Sequence, residues 1–417
     1  MRSLIKTIKE REFLKFFLMF FSGTLLAQIV TISLSPILTR IYTPEDFGVY
    51  GVYISIVSLL IVFITGRYEY AINSTENEED AISVFRIVNY LSFFSAGFIF
   101  ILIVLIGDSI IVYFDLNVDK LLLYFIPFTL LLMGLLQGST YYLNRHKKFD
   151  VLSKSKIYQS FSNGTFSLMA GLMSFGPTGL VIANIVGIFT SHLYQRVKDV
   201  YGIEFKLDRI RLKRNLLKYR HYPLYNAPSA LFDNIAIQAP VFILLKFFSE
   251  SVVGFYSLTL RVIGMPLSLV STSISQVFLS KVSELHRNNK SYKAIIIKLA
   301  KYLALIGLVP FMIISFFGPS LFSLLFGANW FVAGEYAQIL IIGYFFKFIV
   351  SPLSIVFFIN QKVKLLSIIQ TTRALTTVFV LIIFALNSDI KTVLFAYTIH
   401  EVIFYLIYLY FILKTSR

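Results

Sequence analysis

The sequence predicts an all-α polytopic membrane protein of about twelve transmembrane helices in two pseudo-symmetric six-helix bundles. Three observations predict it. First, 57% of the 417 residues are hydrophobic, only 14% are charged, and the mean hydropathy is +0.76; a soluble chain is about a quarter charged. Second, the apolar runs approach the ~20 residues of a crossing helix and do not alternate as the ~10-residue strands of a membrane barrel do. Third, one hairpin of two apolar runs recurs about half a chain later, as in internally duplicated transporters.

That hairpin is residues 34–72, LSPILTRIYTPEDFGVYGVYISIVSLLIVFITGRYEYAI. Thr43 is placed to N-cap a helix whose first residue is Pro44. Glu45 and Asp46 then fall in the first turn, where the helix dipole favours carboxylates. The copy, PVFILLKFFSESVVGFYSLTLRV, begins at Pro240 and lies 206 positions on. It aligns Arg40 with Lys246, Thr43 with Ser249, Gly48 with Gly254 and Tyr50 with Tyr256. Taken alone, the polar break at 43–46 reads first as a helix start at the membrane surface and only second as part of a transport site.

In chain order, residues 1–15 predict a short cationic interfacial helix leading into the first span, and no signal peptide. Spans follow at roughly 14–38, 47–72, 82–106, 121–143, 156–173 and 178–195, then 224–246, 252–280, 294–317, 332–359, 365–386 and 392–413. The longest polar stretch divides them. The predicted domains are therefore 1–195, a basic cytoplasmic linker at 196–221 held near anionic headgroups, and 222–417.

The net charge of +16 is a topology signal and not a sign of nucleic acid. Lys and Arg crowd alternate breaks: the N-terminus, 145–156, 196–220, 281–293 and 362–364. The intervening breaks carry only Arg40, Lys120, Lys246 and Lys391. The positive-inside rule then places both termini in the cytoplasm. One cytoplasmic break, NSTENEED at 73–80, is acidic, and the rule gives acidic residues little weight.

The chain has no cysteine and five dispersed histidines, so no thiolate or His-rich metal site is expected. It has no phosphate-binding P-loop, nucleophile elbow or HExxH motif, and its outer breaks are short and poor in His, Asp and Arg; the expectation is transport, not catalysis. The informative residues are charges inside spans, each of which must face a cavity or a partner. Asp233, Arg261, Lys347, Arg373 and Glu401 lie within spans of the second half, and Arg67 with Glu69 near the inner end of span two. Three cations against two carboxylates leave the second bundle positive, suited to a diphosphate or another anionic headgroup. Helix-to-helix pairing and, for Arg67, snorkelling to the interface are the structural alternatives.

Several stretches together resemble the bacterial oligosaccharide flippases of the Wzx type. They are LTRIYTPEDFGVYGVYISI with GRYEYAI, YLNRHKKFDVLSKSKIYQS, YRHYPLYNAPSALFDNIAIQAPVFILL and LFGANWFVAGEYAQIL, in that order. The resemblance implies membership of the multidrug/oligosaccharidyl-lipid/polysaccharide exporter superfamily, with two bundles around a central V-shaped cavity. It implies alternating access carrying an undecaprenyl-diphosphate-linked oligosaccharide across the cytoplasmic (inner) membrane of a bacterium. The product would feed O-antigen, capsule or exopolysaccharide assembly, with membrane lipids, a polysaccharide polymerase and a chain-length regulator as partners. Arg261, Lys347, Arg373 and Arg67 would meet the diphosphate. No cofactor is expected beyond an H⁺ or Na⁺ gradient, for which Asp233 and Glu401 are the candidate carboxylates. Rival readings are an exporter of small molecules or of another lipid-linked cargo with this fold, and a membrane polymerase or ligase. The absence of Asp and Glu from residues 13–38 counts against a cationic-drug exporter.

Overall fold

The computed structural model describes residues 2–114, 120–200, 208–287, 291–360 and 362–416. For residues 2–21 and a few later helical positions only the backbone is described. The described residues are predominantly helical, without strands among them. The chain divides into two compact units, Met1–Tyr42 with Tyr53–Leu231, and Thr43–Val52 with Phe232–Arg417.

The first unit holds α1 (Arg2–Ile41), the body of α2 (Pro44–Ile64), α3 (Glu69–Ile72), α4 (Glu78–Phe114), α5 (Leu121–Arg145), α6 (Phe149–Leu172), α7 (Gly176–Gln195) and α8 (Arg209–Lys218). α6 packs between α1 and α7, and α5 packs on α4 and α7. The second unit holds the start of α2, then α9 (Ala227–Phe247), α10 (Glu250–Arg287), α11 (Lys293–Phe326), α12 (Phe331–Val350), α13 (Val356–Ile359), α14 (Val363–Asn387) and α15 (Ile390–Thr415). α12 is its hub, packed on α10, α11 and α15. Gly343 faces α15, where an added Cβ would make ordinary contact with Thr398 and Glu401.

Among the described residues eleven helices are long and apolar enough to cross a membrane. The predicted span 156–173 is α6, which is 24 residues long but more polar, with Asp150, Lys154 and Lys156 on it. One predicted span ends early. Span two stops at Ile64 because Gly66 and Arg67 take positive φ, 55° and 63°, which ends a right-handed helix. Span ten runs to Ile359 as predicted, but tightens after Val350 into a 3₁₀ turn over Ser351–Ile355 that includes Pro352. The interfacial helix predicted at 1–15 is the start of the continuous α1; its amphipathic face lies outside the described residues.

The segment predicted as a linker contains α8, which packs in the first unit on the acidic start of α4. Asp80 accepts hydrogen bonds from Arg214 at 2.6 Å and Asn215 at 3.0 Å. Glu79 pairs with Arg211, and Glu76 with Lys218 at 3.7 Å. The acidic break that departs from the basic pattern is thus the counter-surface of the basic helix.

The two copies of the hairpin meet in the second unit. Thr43 and Asp46 cap α2 reciprocally: Thr43 N–H donates to Asp46 at 2.9 Å, and Asp46 N–H to the Thr43 hydroxyl at 3.2 Å. Ser249 caps α10 in the same place, accepting from Val252 N–H at 3.3 Å. The first turns of α2 and α10 then cross about a local twofold. A Cβ on Gly48 would overlap the Glu250 carbonyl, and one on Gly254 the Pro44 carbonyl. Ser251 donates to Glu45, 206 positions away, the offset of the repeat itself. Each residue is facing the equivalent of its partner, so the repeat is self-complementary at this crossing.

Gly254→Leu is predicted to push the two backbones apart and cost about 1–3 kcal/mol, as overpacking does. Gly97→Ala, with no heavy atom within 4 Å of the added Cβ, is predicted to be neutral or slightly stabilising. Thermal unfolding of the purified protein in detergent compares them; equal midpoints would contradict the crossing.

Candidate functional site

The second unit builds its polar centre on α15. Tyr397, Glu401, Tyr405 and Tyr408 recur at spacings of four, four and three, which stacks them on one helical face. All four are buried, and α14 sets Arg373 against that face. Arg373 Nε donates to Glu401 Oε1 at 3.1 Å, and its Nη2 to Oε2 at 2.7 Å. The guanidinium also lies 5.2 Å from the Phe404 ring centre and 5.4 Å from that of Tyr405. This is a bidentate, aromatic-framed pair at 4% and 5% exposure. His400 adds a contact at 3.7 Å to Glu401, and its Nε2 lies 2.8 Å from the Thr376 hydroxyl.

Lys347, on α12, lies within the electrostatic reach of Arg373, Glu401 and Asp233. Its ammonium sits 5.1 Å from the Tyr344 ring centre and, among the described residues, has no ion pair. Arg261 on α10 lies 5.5 Å from the Phe47 ring centre and also lacks an ion pair among the described residues. Its electrostatic neighbour is Tyr50. Gly264, three residues beyond Arg261, lies against the Tyr344 ring, three residues before Lys347. The two cations are therefore within about two helical turns in depth.

Of the six residues given a diphosphate or ion role from the sequence, the structure groups Arg373, Glu401, Lys347 and Asp233. It leaves Arg261 beside the group, against Phe47 and Tyr50. Arg67 is in the other unit, in the turn after α2. There it lies 3.7 Å from Glu69 and over the Tyr70 ring. Arg373 and Glu401 neutralise one another, so neither is a free charge. Asp233, about two turns into α9, has no ion pair among the described residues.

Two cations were assigned to breaks but serve inside the first unit. Lys156 lies on α6 and donates to the Thr24 hydroxyl of α1 at 3.1 Å. Arg145 closes the end of α5 by donating to the carbonyls of Ile72 and Thr75, at 2.9 and 3.0 Å. The length of α6, which begins at Phe149, places Lys156 two turns in, a signal the polar sequence around it hides. The i, i+4 spacing of Tyr397, Glu401 and Tyr405 is the sequence signal for this face.

The pair predicts an asymmetric mutational response. Arg373→Ala or Glu401→Ala leaves one buried charge alone and costs about 3–5 kcal/mol. The double variant Arg373→Met with Glu401→Leu removes both charges and is predicted to be markedly more stable than either single variant. Unfolding midpoints of the three variants decide it; additive losses would contradict the pairing.

Residues 37–335, more than half of the chain, match the family described as polysaccharide biosynthesis protein. Among curated proteins, none matches significantly. Solved structures share the fold at low identity. An inward-facing multidrug resistance MATE family transporter of the MOP superfamily aligns with TM-score 0.70 at 15% identity, over 94% of this chain and 93% of that one. The lipid II flippase MurJ, in an inward closed conformation, aligns with TM-score 0.75 at 16% identity, over 95% and 87%. An outward-facing MATE family transporter aligns at 0.61 and 14%, over 96% and 95%. At these identities the likeness is one of fold. The chain is a multi-pass membrane protein with that transporter fold, and it belongs to the polysaccharide biosynthesis protein family.

Proposed function

We propose that this protein is a flippase that carries an undecaprenyl-diphosphate-linked oligosaccharide repeat unit from the inner to the outer leaflet of a bacterial cytoplasmic membrane. One observation carries the reading: Lys347 and Arg261 are two cations deep in the second unit without ion pairs among the described residues. Charge in hydrocarbon is costly enough that such residues face water or a ligand. In a chain of the polysaccharide family, a lipid-borne diphosphate is the ligand whose charge fits. Arg373 has a positioning role, because its charge is neutralised by Glu401. It holds α14 to α15 and contributes, with Glu401, to the field at Lys347.

Transport is by alternating access, and the energy comes from an ion gradient. Asp233 is the carboxylate assigned to H⁺ or Na⁺, since Glu401 is engaged by Arg373. Both termini are assigned to the cytoplasm by the distribution of Lys and Arg.

Flipping of a labelled undecaprenyl-diphosphate oligosaccharide in proteoliposomes tests the proposal. Lys347→Ala and Arg261→Ala are each predicted to slow it about tenfold to a hundredfold, the loss of one charge-assisted contact. Asp233→Asn is predicted to abolish its dependence on the gradient. Equal rates in wild type and both cation variants would remove the site; no flipping by wild type under any gradient would remove the cargo.

A further inference from the structure

We propose that the first unit carries a saccharide-binding face on α1 and α6, built mainly of neutral hydroxyl and carboxamide groups; the identity of its ligand rests on the flippase reading. The two helices run side by side and parallel. Gly23 lies against Ser153, Leu34 against Gly164 and Ile41 against Gly171, the same offset each time. Each helix has two distinct sides. On α1, Leu25, Leu26, Ile29 and Ile37 are exposed. On the opposite side, at about 100° per residue, run Thr24, Gln28 and Thr31. On α6 the exposed side holds Phe161, Met169 and Leu172. Lys156, Gln159, Ser160 and Asn163 run along the opposite side.

The exposed apolar sides are the lipid faces. The polar rows are turned away from lipid, and they are half-buried and not sealed. Residues 22–41 of α1 form a membrane-length apolar span, and α6, at 24 residues, is as long. Polar side chains at membrane depth that are neither sealed nor turned to lipid have water or a ligand beside them. The two rows form one continuous face. Lys156 Nζ donates to the Thr24 hydroxyl at 3.1 Å, and the Thr31 hydroxyl lies 3.5 Å from that of Ser160.

Gln28 supplies the second observation. It lies one turn from both Thr24 and Thr31, and its Oε1 is buried and accepts no hydrogen bond among the described residues. A buried carboxamide oxygen normally accepts one, and a ligand hydroxyl would donate it. The donor set selects the class of ligand. Hydroxyls and carboxamides each donate and accept, which matches the hydroxyls of a sugar. A bound cation would need carboxylates. Residues 13–38 contain none, and Asp150 of α6 lies back in the first turn. Lys156 is the single cation in the two rows and is engaged with Thr24. The sugar contacts are thus neutral hydrogen bonds, different in chemistry from the cations assigned to the diphosphate.

Native mass spectrometry of the full chain in detergent tests this with two probes, an undecaprenyl-diphosphate oligosaccharide and undecaprenyl diphosphate without sugar. Wild type is expected to bind the first at least tenfold more tightly. Gln28→Met with Asn163→Leu is expected to remove that difference and leave the affinity for undecaprenyl diphosphate unchanged. Ser160→Ala, a smaller change, is expected to reduce the difference in the same direction. Thr165→Val, on the lipid side of α6, is expected to behave as wild type. Lys347→Ala is expected to weaken both lipids equally, so it reports on the transport site alone. Equal binding of the two lipids by wild type overturns the saccharide face. So does a difference that survives in the double variant, or a loss there that falls equally on both lipids. Binding of both lipids unchanged by Lys347→Ala overturns the transport site and leaves this face standing, and wild type that binds neither lipid overturns both. A membrane-impermeant thiol reagent gives an independent check in proteoliposomes. Asn163→Cys is expected to react and Phe161→Cys is not; an unreactive Asn163→Cys overturns the hydrated face.

Discussion

A charge inside a membrane span must be paired or must reach water, and the second unit is organised by how it meets that requirement. Arg373 and Glu401 meet it by pairing, with both guanidinium contacts made and aromatic rings on the remaining faces. The pair fixes α14 against α15, and α15 lies on α12 through Gly343. Lys347 is on that same α12, close enough to sense the pair but not neutralised by it. The neutral pair holds the helices together, and in the proposed function the ligand meets Lys347 and Arg261, which have no ion pair among the described residues.

The duplicated hairpin imposes a second constraint. Equivalent residues of the two copies meet at Gly48 and Gly254, where backbone touches backbone. Two interlocked helix starts, each capped by a hydroxyl at the same repeat position, make a junction whose geometry neither copy could hold alone. Phe47 follows the junction into the core, against Trp330 at 5.1 Å and beneath Arg261. Arg261, without an ion pair among the described residues, thus lies over a residue that the repeat positions.

Local features were legible in the sequence because their physics is local. The caps at Thr43 and Ser249, the helix class, and the intramembrane position of Arg373 and Glu401 all follow from composition and spacing over a few residues. Pairing was not legible, because Arg373 and Glu401 are 28 positions apart on different helices and any of three cations could have served Glu401. The acidic break at 73–80 looked like an exception to topology. Its explanation is α8, more than a hundred positions away, whose arginines it receives. Arg67 was placed in a span because its neighbours are apolar; the positive φ at Gly66 and Arg67 belongs to the folded turn, where Arg67 N–H reaches the Thr65 hydroxyl at 3.4 Å.

In the proposed function Lys347 and Arg261 face water at membrane depth. The chain has no cysteine, so single thiols can be introduced without a background. Only a hydrated thiol ionises and reacts with a membrane-impermeant reagent. Lys347→Cys and Arg261→Cys should be labelled in proteoliposomes and protected by a lipid-linked diphosphate, while Phe379→Cys, on an exposed apolar stretch of α14, should stay unlabelled. Lys347→Cys and Arg261→Cys as inert as Phe379→Cys would contradict the account.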